Sequence, residues 1–160
     1  MMSDLSSSEV EIRRTTDAQA CHALAAGLLD YFTAHGLANL KVDLAAGELY
    51  GAFAGDTIVG FALYKELNPE AVELAWLAVA RRHWSCGVGT RLVDESLASL
   101  PKRYRVCEVK TLAATASDTG YDRTRRFYAK LGFVPLEVID PYPGWEPGNP
   151  CQLLVRFLAA

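Results

Sequence analysis

The chain has 160 residues, of which 51% are apolar and 22% charged, and its net charge is −3. That length and composition fit one soluble globular domain with a sizeable core. The slight acidity excludes the broadly basic face that nucleic acid or an anionic membrane requires, so neither partner is expected.

Residues 1–8 are polar and Ser-rich and read as a disordered tail, with a single domain expected over residues 9–160. The start lacks the basic and apolar regions of a signal peptide, and no apolar run reaches membrane-spanning length. Cys21, Cys86, Cys107 and Cys151 are scattered, which suits reduced thiols in a cytoplasmic protein. His22, His35 and His83 have no ligand-like spacing, so no metal is expected.

Glu9 to Arg14 reads as a short edge strand. Asp17 is placed to cap a helix reaching about His35, with Ala20, Leu24, Leu28 and Phe32 on one face and Gly36 as its stop. Residues 37–46 leave loop and second short helix both open. Glu48–Ala54 and Thr57–Leu67 form strands joined at Gly55-Asp56, and Asn68-Pro69 turns the chain again.

Ala71–Ala80 is a nearly continuous apolar strand. A helix over residues 88–100 stops before Pro101. Tyr104–Ala113 is a strand in which Val106, Glu108 and Lys110 alternate with Cys107, Val109 and Thr111. Tyr121–Leu131 is an amphipathic helix closed by Gly132, after which Phe133 folds back on its last turn. Phe133–Ile139 and Gln152–Leu158 are the last strands, separated by a Pro/Gly loop carrying Tyr142 and Trp145. The order predicts an α/β (α+β) fold with a mixed sheet, antiparallel early and with a parallel crossover around residues 71–113.

Trp84-Ser85-Cys86-Gly87-Val88-Gly89-Thr90 lies between that apolar strand and the following helix. Strand, Gly-rich turn and helix aim backbone N–H groups at an anion, and the helix N-terminus adds partial positive charge. A phosphate-bearing ligand is therefore expected. An ordinary tight helix entry is the plainer alternative.

With these residues the chain resembles the GNAT superfamily of acetyl-CoA-dependent N-acetyltransferases. That family carries Gln/Arg-x-x-Gly-x-Gly/Ala after a strand ending apolar-x-Val. Here Leu77-Ala78-Val79 precedes Trp84-Ser85-Cys86-Gly87-Val88-Gly89. A second signature, aromatic-Tyr-x-x-Leu-Gly-Phe, matches Phe127 to Phe133. The two departures are Trp84, where Gln or Arg is usual, and Tyr121, where many members have Asn.

The resemblance implies a mostly antiparallel central sheet with a splayed parallel pair, flanked by helices. It implies acetyl-CoA as co-substrate, held by Leu77, Val79, Trp84, Ser85, Cys86, Gly87, Val88, Gly89, Thr90 and Tyr121. It implies direct acetyl transfer to a primary amine of a small molecule or peptide, without a covalent enzyme intermediate. Homodimers through exposed sheet edges are common in the family.

Glu73 sits six residues before Val79, where some members place a general base. An amine with a pKa of about 10.4 is protonated at neutral pH and must lose a proton before attack. A desolvated carboxylate binds protons more tightly and can accept it. The plainer alternative is an ion pair with a neighbouring Lys or Arg. Tyr128 is the matching acid, with Phe127 the better core residue of the two. The alternative function is a non-catalytic acyl-CoA sensor. Phe-Tyr-x-x-Leu-Gly-Phe also occurs in vicinal-oxygen-chelate metalloenzymes, but their metal set and paired repeats are missing from the sequence. No Gly-Lys-Ser/Thr follows the turn, which disfavours a P-loop.

Overall fold

A computed structural model describes residues 9–115 and 121–159. The Ser-rich tail lies outside the described residues. The strands are β1 (Val10–Arg14), β2 (Glu48–Ala54), β3 (Thr57–Asn68), β4 (Ala71–Val79), β5 (Val106–Leu112), β6 (Val134–Ile139) and β7 (Cys151–Phe157). The helices are α1 (Ala18–Ala26), α2 (Ala34–Leu44), α3 (Val88–Ser99) and α4 (Asp122–Lys130). The seven-stranded sheet has the order β1-β2-β3-β4-β5-β7-β6. Its one parallel ladder joins β4 to β5 through Ala71↔Val106, Val72↔Cys107 and Glu73↔Glu108. This is the mixed sheet expected from the order of elements.

Among the described residues two compact units emerge from chain contacts: residues 9–66 with 74–101, and residues 67–73 with 102–115 and 121–159. In the first, β2 and the middle of β3 are apolar and buried, and successive side chains of each strand fall on opposite faces of the sheet. Leu49, Phe61, Leu63 and Ala78 meet Cys21, Ala25, Leu28, Phe32, Leu40 and Leu44 in one core cluster. Fully burying a Leu or Phe side chain contributes about 1.5–3 kcal/mol. Tyr50 and Tyr64 belong to the other set of positions, and the Tyr64 hydroxyl meets Ser96 Oγ of α3 at 2.6 Å.

The helix expected from Asp17 to about His35 is shorter, and α2 is the second short helix left open over residues 37–46, starting at Ala34. Asp17 does cap α1, accepting from the Ala20 N–H at 3.0 Å, but α1 ends at Gly27. Residues 27–32 then tighten through N–H bonds from Leu28 to Ala25 O and from Tyr31 to Leu28 O. Thr33 starts α2 by accepting the Gly36 N–H at 3.0 Å. Gly36 therefore lies in a first turn and does not stop a helix, because a side-chain cap outweighs glycine's modest helix penalty.

In the second unit β5 pairs with β7 from Val106↔Phe157 to Leu112↔Cys151, and β6 pairs with β7 on its other side. Helix α4 closes as its sequence foretold. Gly132 takes φ +86°, and the Phe133 N–H reaches Tyr128 O at 3.0 Å while the Gly132 N–H reaches Ala129 O. The Phe133 ring lies 5.5 Å from the Tyr128 ring, the apolar contact that accompanies this helix end. That closure fixes the position of Tyr128.

Candidate active site

In the first unit, β4 leads through a short 3-10 turn at Arg81–His83 into the Gly-rich segment. Ser85 has φ +63° and Gly87 φ +82°, so two left-handed residues bend the chain within three positions. Gly87 is the N-cap of α3, a conformation that costs glycine little and L-residues more. Side chains cap α1 and α2, whereas α3, like α4, has no side-chain cap; the first turn of α3 carries no acidic residue, as in α1 and α2. The first intrahelical bond is donated by the Arg91 N–H to Gly87 O, so the N–H groups of Val88, Gly89 and Thr90 precede the ladder. Ser85, Gly87 and Thr90 are exposed, Cys86 and Gly89 are half-buried, and Val88 is buried as the anchor. This arrangement can receive an anion on backbone donors.

Trp84 holds the turn by its side chain. Its Nε1–H donates to Val79 O at 2.6 Å. Its ring meets Tyr31 edge-on at 5.7 Å, and the Arg81 guanidinium lies 4.9 Å above it. Arg81 is itself paired with Asp30. The Ala80 N–H bonds to Val59 O on β3. Neighbouring residues of an extended chain alternate sides, so the peptide groups of Val79 and Leu77 face away from β3.

In the second unit, Glu73 ends the parallel ladder beside Glu108. Its carboxylate does have a lysine partner: Lys110 Nζ stands 3.3 Å from Glu73 Oε2 and 3.7 Å from Glu108 Oε1. The Lys110 ammonium also lies 5.3 Å from the centre of the Tyr142 ring. Burial alone would lower the Lys110 pKa, but Tyr142 and the charges of Glu73 and Glu108 carry it above the ordinary lysine value. Lys110 is a firm cation at neutral pH. The sequence pointed to it only as a neighbour two positions from Glu108; the strand register that brings it to Glu73 is non-local.

Tyr128 is buried between the rings of Phe127 and Phe133. Burial, and after it Cys107, raise its pKa above the usual tyrosine range. Phe127 is only half-buried, so Tyr128 is the more deeply packed of the two, opposite to expectation. Tyr121 stands just before α4, half-buried, with helical backbone angles. Arg125 on α4 is tied to Leu112 O and Asp122 and serves the fold. Among the described residues there is no cluster of three or more His, Cys, Asp or Glu that suits a metal.

The model of the acetyltransferase (GNAT) family matches residues 17–133. The chain belongs to the GNAT acetyltransferase family. Solved structures agree in fold. A GNAT-family putative acetyltransferase from Desulfovibrio desulfuricans superposes with a TM-score of 0.81 at 22% identity, over 94% of this chain and 99% of that one. A GNAT-family acetyltransferase from Elizabethkingia anophelis, with acetyl-CoA bound, gives 0.72 at 22% identity, over 94% and 99%. An aminoglycoside 6′-N-acetyltransferase complexed with coenzyme A gives 0.71 at 16% identity, over 92% and 96%. No curated protein matches the sequence. Within this GNAT fold, the turn into α3 and the Glu73–Lys110 group are the two places where this chain gathers chemistry.

Proposed function

We propose that the protein transfers the acetyl group of acetyl-CoA to a primary amine of a small molecule or peptide. The observation that carries this reading is the turn into α3, where left-handed Ser85 and Gly87 precede a helix start without a side-chain cap. Family membership supports it, as do the two similar structures that hold acetyl-CoA or coenzyme A.

Acetyl-CoA supplies the acetyl thioester. The N–H groups from Ser85 to Thr90 donate to its diphosphate. The backbone of Leu77 and Val79 pairs with the pantetheine arm; a carbonyl oxygen has two lone pairs, so the Trp84 bond to Val79 O leaves room for a second donor. Tyr121 is a further coenzyme contact. Glu73 accepts the proton that the acceptor ammonium loses. As the amine nitrogen bonds to the carbonyl carbon and the carbon–sulfur bond breaks, the Tyr128 hydroxyl donates a hydrogen bond to the departing sulfur, and the remaining proton that the nitrogen loses passes to that thiolate, giving the amide and the coenzyme A thiol. The raised Tyr128 pKa favours this sharing over complete proton transfer, because a thiol is the stronger acid at about 8.5. All four cysteines are free, in keeping with a reducing compartment such as the cytoplasm.

Gly89→Glu puts a carboxylate among the donors that receive the diphosphate. Calorimetry with coenzyme A is expected to lose its signal while circular dichroism stays native. Undiminished affinity in a folded Gly89→Glu protein overturns the reading.

A further inference from the structure

Lys110 stands between two elements that the sequence leaves far apart. On one side are the carboxylates of Glu73 and Glu108, at 3.3 and 3.7 Å. On the other is the loop 140–150, through Tyr142. Tyr142 does not stand alone there. Its ring is 5.3 Å from that of Trp145, and the Trp145 N–H closes a turn on Tyr142 O at 3.0 Å. The loop therefore brings its two aromatic residues as one piece, anchored by an ammonium whose stem is largely buried. Cys151 on β7 is the remaining titratable group in the field of Lys110.

We propose that Lys110 is a positioning residue: its ammonium directs the Glu73 carboxylate and latches the Tyr142–Trp145 arm of the loop, so that base and arm hold or release together. The proposal rests on Glu73 being the base. The physical reason is sharing. One cation satisfies two carboxylates and an aromatic ring, and charge-assisted hydrogen bonds are the strong ones. Loss of any partner leaves Lys110 free to lean toward the others. An acceptor ammonium arriving at Glu73 competes with Lys110 for the same carboxylate, which makes the arm sensitive to acceptor charge.

Hydrogen–deuterium exchange of residues 140–150 reads the latch in the full chain. Lys110→Met is expected to speed exchange there about fivefold, the size expected for a lost cation–ring contact. Lys110→Arg restores the wild-type rate, because the charge and its reach survive. Tyr142→Leu, on an exposed loop, removes the ring and guards against a Lys110→Met protein that does not fold. It speeds exchange by itself. Combined with Glu73→Gln it is non-additive when Lys110 is present and additive in the Lys110→Met background. Unchanged loop exchange in both Lys110→Met and Tyr142→Leu, or additivity in the Lys110 background, overturns the latch. Acetyl-CoA binding is measured by calorimetry in the same proteins. If the wild type fails to bind while the exchange pattern holds, the proposed function fails and the latch stands.

Discussion

The Trp84 indole N–H donates to the Val79 carbonyl at 2.6 Å, which ties the turn before α3 to the end of β4. Where the GNAT motif usually has Gln or Arg, this chain spends a large side chain on holding its own backbone. The pinned segment carries the two left-handed residues, Ser85 and Gly87, so the bond sets the direction of the donors that follow. Trp84→Phe keeps a ring against Tyr31 and beneath Arg81 but removes the bond. A neutral intramolecular hydrogen bond contributes about 1 kcal/mol, so coenzyme A is expected to bind about fivefold more weakly. Calorimetry on the two proteins checks this, and equal affinities refute a positioning role for the indole.

Cys86 gives a chemical reporter of the same turn. It is half-buried, whereas Cys21, Cys107 and Cys151 are buried. Iodoacetamide at pH 8 is expected to label Cys86 first, with mass spectrometry locating the adduct. Burial pushes the Cys151 thiol up to about 11, which slows it further. Acetyl-CoA, whose sulfur is a thioester and does not consume the reagent, should at about 100 times its Kd slow Cys86 labelling about 100-fold, because only the free protein reacts. Labelling at an unaltered rate under saturation places the ligand elsewhere.

Tyr128→Phe separates packing from chemistry. The ring contacts with Phe127 and Phe133 survive the loss of the hydroxyl, so the melting temperature should stay close to wild type. A hydrogen bond to a charged group contributes about 1.5–3 kcal/mol, which becomes a tenfold to hundredfold loss of kcat if the hydroxyl meets the leaving sulfur. KM for acetyl-CoA should change little, since the bond strengthens only as charge develops. Steady-state kinetics with any competent amine reads the split.

Local chemistry was the legible part of this chain. Gly55-Asp56 between two apolar runs marks a hairpin, and Gly132-Phe133 after an amphipathic run marks a helix end; both signals act within a few residues. The break between α1 and α2 was hidden because Thr33 capping and the tight turns at residues 27–32 compete with an unbroken apolar period. At the site, the Gly-rich turn is local, and so is its glycine chemistry. The Lys110 partnership is not: it depends on the register Glu73↔Glu108, which a parallel ladder sets only after α3 has crossed over. Trp84 reads as one more apolar residue until the fold shows where its N–H points.

Cys21 sets an alkaline limit on stability. It is fully buried in the core cluster, and burial, with Asp17 second, pushes its thiol up to about 12 from an ordinary 9.0. Between those values the unfolded chain gives up this proton while the folded chain keeps it. Stability is therefore fully present below pH 9.0 and is lost as pH rises toward 12, by about 1.4 kcal/mol per pH unit at most. Lys110 works in the same direction, since its raised pKa favours the folded state until the ammonium is lost. Urea melts at about pH 8 and about pH 10.5 should show a smaller pH-dependent drop for Cys21→Ala than for wild type. The comparison of slopes is insensitive to the packing lost with the sulfur, which lowers Cys21→Ala equally at both pH values. Parallel declines in the two proteins would show that the thiol ionises in the folded state as readily as in the unfolded one.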